Sequence, residues 1–266
     1  MTVSRDELLK VARSAVDRGA ELLRTAERGR IRAKSDRDYV TDLDRRIQDH
    51  IRRYLAETTP GFDFLGEESD PMSGDRAGQR MWVLDPIDGT SNFIHGLPLC
   101  AVSLALVDDS EPVIGVVNAP FLNLEYYAAA ERGAFGNGTP IKASKTETLG
   151  QAIVSIGDYA VGPEAEVKNK RRFALTAELA ATVERVRMFG SAALDLVWVA
   201  EGRTDACIML SNKPWDTAAG VVISREAGAV VLDSTFRRHS LGSADTIAAA
   251  PAVADQLIAL VNRSSC

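Results

Sequence analysis

The chain has 266 residues, 45% of them hydrophobic and 26% charged, which is apolar mass enough for one large core or two fused halves. A formal net charge of −6 argues against a nucleic-acid binder that works by neutralising phosphates, so any anionic substrate needs local help from the protein. Cys100, Cys207 and Cys266 show neither disulfide nor zinc spacing, which fits a reducing cytoplasm; the N-terminus has no apolar signal core, and no run approaches the roughly 18 apolar residues of a membrane span.

Ser4-Arg5-Asp6-Glu7 reads as a capping box, and Leu8, Val11, Ala12, Ala15, Val16, Leu22 and Leu23 continue at helical spacing, so the chain opens with a long amphipathic helix. A basic, polar stretch from Arg28 to Tyr39 interrupts the pattern. A second helix begins at Thr41, carries Leu43, Ile47, Ile51, Tyr54 and Leu55 on one face, and ends before Pro60-Gly61. Two helices are therefore expected before any sheet. From Phe62 the texture turns to short strands: Phe62–Leu65, Met81–Leu84, Ala101–Val107, Val113–Asn118, Leu124–Ala129 and Ala134–Lys142, with a turn at Gly136-Asn137-Gly138. Their close spacing favours antiparallel neighbours.

After Thr148-Leu149-Gly150 strands and helices alternate. Strands are predicted at Ala152–Ile156, Val186–Met188, Asp205–Leu210, Ala229–Leu232 and Thr246–Ala250. Helices are predicted near Glu164–Thr182, over Ala192–Ala200, from Thr217, and from Val253 to about Val261. The fold class is thus α/β (α+β), with two sheet-containing halves, 1–145 and 146–266.

Acidic residues stand at the ends of these elements. Trp82-Val83-Leu84-Asp85 is an apolar strand; Pro86 biases Asp85 towards extended geometry, so the strand delivers that carboxylate at its end. Asp88 follows a tight bend, and Gly89 and Thr90 offer amides where a helix can start, which suits an anion. Glu67 and Glu68 close another short strand; Asp216 and Asp44 read equally well as helix-capping residues. Carboxylates at strand ends and helix starts can converge on one crevice. Oxygen ligands suit Mg²⁺ or Mn²⁺, and a phosphate monoester needs metal ions to enter an acidic pocket.

Gly66-Glu67-Glu68-Ser69, the run Trp82 to Phe93, and Trp215-Asp216-Thr217-Ala218-Ala219-Gly220 resemble the three signatures of the inositol monophosphatase family, in the same order and with similar separations. Gly133 to Gly138 and Glu226 to Ala229 resemble further stretches of it, so the likeness covers nearly the whole chain. The resemblance implies a layered αβαβα sandwich, a homodimer, and Mg²⁺-dependent, lithium-sensitive hydrolysis of a small phosphorylated metabolite by two or three ions, with Mn²⁺ as a substitute. It implies that Glu67, Asp85 and the Ile87 carbonyl hold one ion, that Asp85, Asp88 and Asp216 hold a second, and that Glu67 touches a weaker third, with Glu68 binding water around it. Asp44 and Thr90 resemble the pair that activates the attacking water, with the Gly89 and Thr90 amides on the phosphate. Lys34, ahead of a loop containing Asp36, Arg37 and Asp38, occupies the place of a lysine near that phosphate.

Gly190-Ser191-Ala192 resembles the loop that touches the alcohol part of the substrate, although it also reads as a plain helix start; Asp195, one turn farther, reads as a surface acid. Met209 departs from the pattern, because relatives that process inositol carry there a glutamate that reads hydroxyls; its other reading is packing in a strand. A substrate other than inositol phosphate is therefore expected, with histidinol phosphate, nucleoside monophosphates, amino-sugar phosphates and bisphosphorylated nucleotides or sugars as alternatives. Asp85 and Asp88 lack the spacing of an aspartyl-phosphate enzyme. A non-catalytic interaction protein that retains the fold is the alternative of another class.

Overall fold

Ser4 and Glu7 close a reciprocal capping box on α1 (Arg5–Thr25) in the computed structural model, which describes residues 3–27, 29–35, 38–69 and 80–264. Thr41 and Asp44 do the same for α2 (Asp42–Thr58). The expectation of two helices before any sheet is corrected: β1 (Ile31–Ser35) and β2 (Asp38–Thr41) pair as an antiparallel hairpin between them. Residues 31–34 are exposed, so no apolar alternation marks β1. Polar bonds at the base hold the hairpin instead, with Asp42 N–H donating to the Arg30 carbonyl at 3.1 Å and Arg32 paired with Asp42 at 3.2 Å. Arg28, Asp36, Arg37 and Cys266 lie outside the described residues.

Seven strands form the first sheet in chain order: β3 (Asp63–Gly66), β4 (Met81–Asp88), β5 (Ala101–Asp108), β6 (Glu111–Ala119), β7 (Leu124–Ala129), β8 (Ala134–Gly136) and β9 (Thr139–Ile141). A short helix, α3 (Thr90–His95), leaves the end of β4. Neighbours from β4 onward are antiparallel, as the short spacing predicts, but β3 and β4 run parallel. Residues 67–80 make that connection long enough to carry the chain back to the same end.

The second sheet has the order β11-β10-β12-β14-β13. Its strands are β10 (Ile153–Ile156), β11 (Arg185–Arg187), β12 (Ala206–Met209), β13 (Val230–Leu232) and β14 (Thr246–Ala249). Its helices are α4 (Ala165–Thr182), α5 (Ala192–Glu201), α6 (Pro214–Glu226) and α7 (Pro251–Arg263). The start of α6 is corrected from Thr217 to Pro214: proline suits the first helical turn, where its missing N–H costs nothing.

Period-two side-chain alternation stacks these elements into layers. Along β5, Val102, Leu104 and Leu106 pack with α1 and α2, whereas Ala101, Ala105 and Val107 pack with α5 and α6. Along β12, Cys207 and Met209 meet α5 and α6 from the other side, and Ala206 and Ile208 face α4 and α7. The order is α1/α2, seven-stranded sheet, α5/α6, five-stranded sheet, α4/α7: an αβαβα sandwich. The inner helices touch both sheets, so they hold functional residues of the two halves in register.

One close approach sets the position of α6. A Cβ on Gly115 of β6 would lie 2.3 Å from the carbonyl oxygen of Ala219, so the helix backbone rests directly on the sheet. Gly115→Ala should therefore push α6 outward and cost about 1–3 kcal/mol by overpacking. The midpoint of urea unfolding measures it; an unchanged midpoint would show that the sheet yields there without strain.

Candidate active site

The site begins where β4 ends. In a regular strand Asp85 and Asp88 would face opposite ways, but pairing with β5 is irregular between them, and both carboxylates are buried together. Asp85 Oδ1 accepts the Ile87 N–H at 3.1 Å. Gly89 then takes a left-handed φ of +84° to turn the chain into α3; a side chain there would meet the Leu99 carbonyl at 2.7 Å. Asn92 of α3 ties this corner to the C-terminal half, its Nδ2 donating to the carbonyls of Leu99 at 2.8 Å and Phe189 at 2.7 Å.

Asp88 faces the start of α5. Its oxygens accept the Ser191 hydroxyl and the N–H groups of Ala192 and Ala193, both at 3.1 Å. Gly190-Ser191-Ala192 is thus both a helix start, with Ser191 capping Leu194, and a neighbour of the acidic cluster. Asp216 lies in the first turn of α6 and accepts the Lys213 N–H at 2.6 Å. Asp44 divides its oxygens: Oδ2 takes the Thr41 N–H at 2.8 Å and hydroxyl at 2.5 Å, as capping predicts, while Oδ1 lies 3.4 Å from the Thr90 hydroxyl. That hydroxyl also faces the Ile87 carbonyl at 2.9 Å.

Lys34 reaches in from β1 and binds both Glu67, at 2.8 Å, and Glu68. Burial pulls its ammonium pKa down, but the two glutamates outweigh burial and the net shift is upward. Glu68 is held above the usual carboxylate range by burial, with Lys34 opposing.

The acids repel one another. Burial first, then the charges of Glu67, Asp88 and Asp216, push Asp85 well above the usual range, and its carboxyl shares a hydrogen bond with Glu67. Burial drives Asp88 up to about 6 and Asp216 up to about 7; burial also raises Asp44, which is 0% exposed. Ser103, paired with Asp85 across the strands, keeps a buried hydroxyl with no partner among the described residues.

Among the described residues no three Asp, Glu, His or Cys side chains already stand as a finished metal shell. Asp88 is turned to α5, Asp216 to Lys213 and Glu67 to Lys34. Even so, the donor chemistry fits a hard divalent cation: an all-oxygen set whose negative charges press on Asp85 in a buried setting, where a cation would relieve them.

One sequence expectation changes, and one of the two readings of Met209 gains support. Asp195 is no surface acid: it is 1% exposed, burial with the charges of Asp88 and Asp158 raises it to about 8, and its Oδ1 has no partner among the described residues. Met209 is 3% exposed and packs with Leu196, Val199, Cys207 and Val221, which by itself accounts for an apolar residue there. Asn92 and Gln48 carry structural duties at the site that the motifs alone do not announce. Gln48 has a signal all the same, lying four residues after Asp44 on the same helix face.

The sequence profile described as the inositol monophosphatase family matches residues 4–265. A fructose-1,6-bisphosphatase/inositol-1-monophosphatase of Thermotoga maritima is 36% identical over 228 residues, covering 85% of this chain and 83% of the relative. Inositol monophosphatase 1 of Solanum lycopersicum is 34% identical over 255 residues, covering 93% and 92%. The crystal structure of the extragenic suppressor protein suhB from Bartonella henselae superposes with a TM-score of 0.89 at 30% identity, covering 96% of this chain and 98% of that one.

The raised carboxylates set a pH dependence for the metal-free protein. Unfolded aspartates release their protons near pH 3.9, whereas the folded chain keeps those of Asp88 to about 6 and of Asp216 to about 7. Between these values the native state binds more protons, so this cluster loses stability as pH rises through that window. Asp85→Asn removes one charge from the cluster. With chelator present, the mutant's melting temperature should therefore gain on wild type between pH 5 and pH 8. A mutant that loses ground over that range would mark Asp85 as a structural anchor instead.

Proposed function

We propose that this chain, which belongs to the inositol monophosphatase family and hydrolyses phosphate monoesters, does so by water attack at the end of β4, with Mg²⁺ held by the carboxylates gathered there. The observation that carries the reading is the meeting of Glu67, just after β3, Asp85 and Asp88 of β4, and Asp216 of α6 in one acidic crevice beside the Asp44–Thr90 pair.

Glu67, Asp85 and the Ile87 carbonyl would hold one ion, and Asp85, Asp88 and Asp216 a second; Glu67 and Glu68 would serve a weaker third. Mn²⁺ has the same ligand preferences. When bound, the ions supply the charge that admits the phosphate and makes water acidic enough to attack. Thr90 orients that water, and Asp44 accepts its proton at Oδ1, since Thr41 already occupies Oδ2. Burial raises the basicity of Asp44, which helps a general base. The amides of Gly89 and Thr90, at a helix start with no intrahelical acceptor, suit the phosphate oxygens. The resemblance also supports a cytoplasmic homodimer acting on a small phosphorylated metabolite; among the described residues no helix is long and apolar enough to cross a membrane.

Phosphate release should stop on exhaustive chelation and return with Mg²⁺. Asp44→Asn should lower kcat by about 10²–10⁴-fold, the range for a lost general base. Its calorimetric Mg²⁺ uptake should persist. Full activity in chelator would reject the metal reading, and an unimpaired Asp44→Asn would reject the base.

The alcohol side is proposed to be read loosely, by Gly190, Ser191 and Ala192 around the start of α5 and by the strand of Met209, which offers no acid to a ring of hydroxyls. A site that hydrogen-bonds a required hydroxyl discriminates by about 10⁴–10⁵-fold. Here kcat/KM should vary by less than about 10²-fold across inositol 1-phosphate, fructose 1,6-bisphosphate, histidinol phosphate, a nucleoside monophosphate and an amino-sugar phosphate. A far steeper preference for the inositol ester would mean that another residue reads the ring.

A further inference from the structure

We propose that Gln48 is the positioning residue of the Glu67–Glu68 turn, so that α2 sets the cation affinity of the site as well as carrying Asp44. The inference rests on the metal reading above. Gln48 is 5% exposed and lies one helical turn beyond Asp44. Its Oε1 accepts the Glu68 N–H at 2.9 Å, and its Nε2 lies 3.4 Å from the Ser69 hydroxyl. An amide N–H requires an acceptor, so chemistry fixes which end of the Gln48 amide faces Glu68.

Gly66 supplies an independent observation. A Cβ there would lie 2.1 Å from Gln48 Oε1 and 2.6 Å from Gln48 Cδ, and Gly66 is not among the residues of positive φ. The glycine is needed for room and not for backbone freedom: it admits the glutamine amide to the turn. Two further bonds complete the frame, Glu67 N–H to the Leu84 carbonyl and Ser69 N–H to the Gly66 carbonyl, both at 3.1 Å. The turn is thus gripped through its backbone by β4 and α2, and through its carboxylates by Lys34. A cation that takes over those carboxylates would leave the backbone grip to hold Glu67 in place.

Without the Gln48 acceptor, the Glu68 N–H is left unsatisfied in a part-buried turn, which then spends less time in the competent shape. Apparent affinity falls by the competent fraction, while the loaded site still contains Asp44 and Thr90. The role therefore shows in metal binding and not in the rate at saturation.

The test is Mg²⁺ titration calorimetry together with the Mg²⁺ dependence of turnover. Gln48→Leu should weaken Mg²⁺ uptake about 10-fold or more, as loss of a residue that orients a ligand does, and should raise half-saturation equally, with kcat at saturating Mg²⁺ within about 3-fold of wild type. Gly66→Ala, which evicts the amide, should reproduce the Gln48→Leu shift, and the double mutant should be no worse than either single one. Unchanged Mg²⁺ uptake in Gln48→Leu, or a rate loss that excess Mg²⁺ does not recover, overturns the proposal. Should Gln48→Leu fail to fold, Gly66→Ala decides alone: the same shift supports the proposal and wild-type uptake refutes it. No Mg²⁺ uptake by wild type would instead sink the metal reading.

Discussion

Carboxylates crowded in a dry crevice cannot all be anions at once, and the fold around the end of β4 answers that constraint. Glu67, Asp85, Asp88 and Asp216 come from three separate stretches of chain, and burial together with like charge, that of Glu67 included, raises the proton affinity of the three aspartates. Each nevertheless has a local partner: Lys34 for Glu67, the amides of α5 for Asp88, the Lys213 N–H for Asp216, and the Ile87 N–H for Asp85. These partners make the acid cluster tolerable without removing its appetite for positive charge.

The sandwich makes such crowding possible. Asp85 and Asp88 belong to the seven-stranded sheet, and Asp216 belongs to a helix shared with the five-stranded one. Close seating of α6 on β6, where Gly115 has no side chain, helps to bring them together. Asn92 and Asp88 then bridge from the β4 corner to residues 189–193, so the first half of the chain grips the second at the site itself. Packing and chemistry here share the same few contacts.

Much of this was legible in the residues. Continuous apolar strands such as β5 and β12, the capping boxes of α1 and α2, and the acidic ends of β3 and β4 all leave local signatures. The β1–β2 hairpin left none, because its anchors are the polar bonds around Asp42 and not a buried stripe. The parallel pairing of β3 with β4 depends on where the chain returns, which no short window records. Asp195 was invisible for a different reason, and the spacing of Gln48 from Asp44 told only its helix face: burial of a polar side chain is a property of its neighbours, and only the assembled layers supply them. Asp44 shows how two readings can coexist, since one of its oxygens caps α2 and the other faces Thr90.

Lys34 gives the metal-free site an internal placeholder. Its ammonium already neutralises one unit of the charge on Glu67 and Glu68, so an incoming ion at those carboxylates must work by exchange. A monovalent ion that displaces it merely replaces one positive charge by another and loses its hydration in the process. A divalent ion adds a net charge and satisfies carboxylates that are short of partners. On the proposed metal reading, the strand that delivers the lysine would then favour a divalent over a monovalent ion at these carboxylates, and the hairpin would set the threshold for entry.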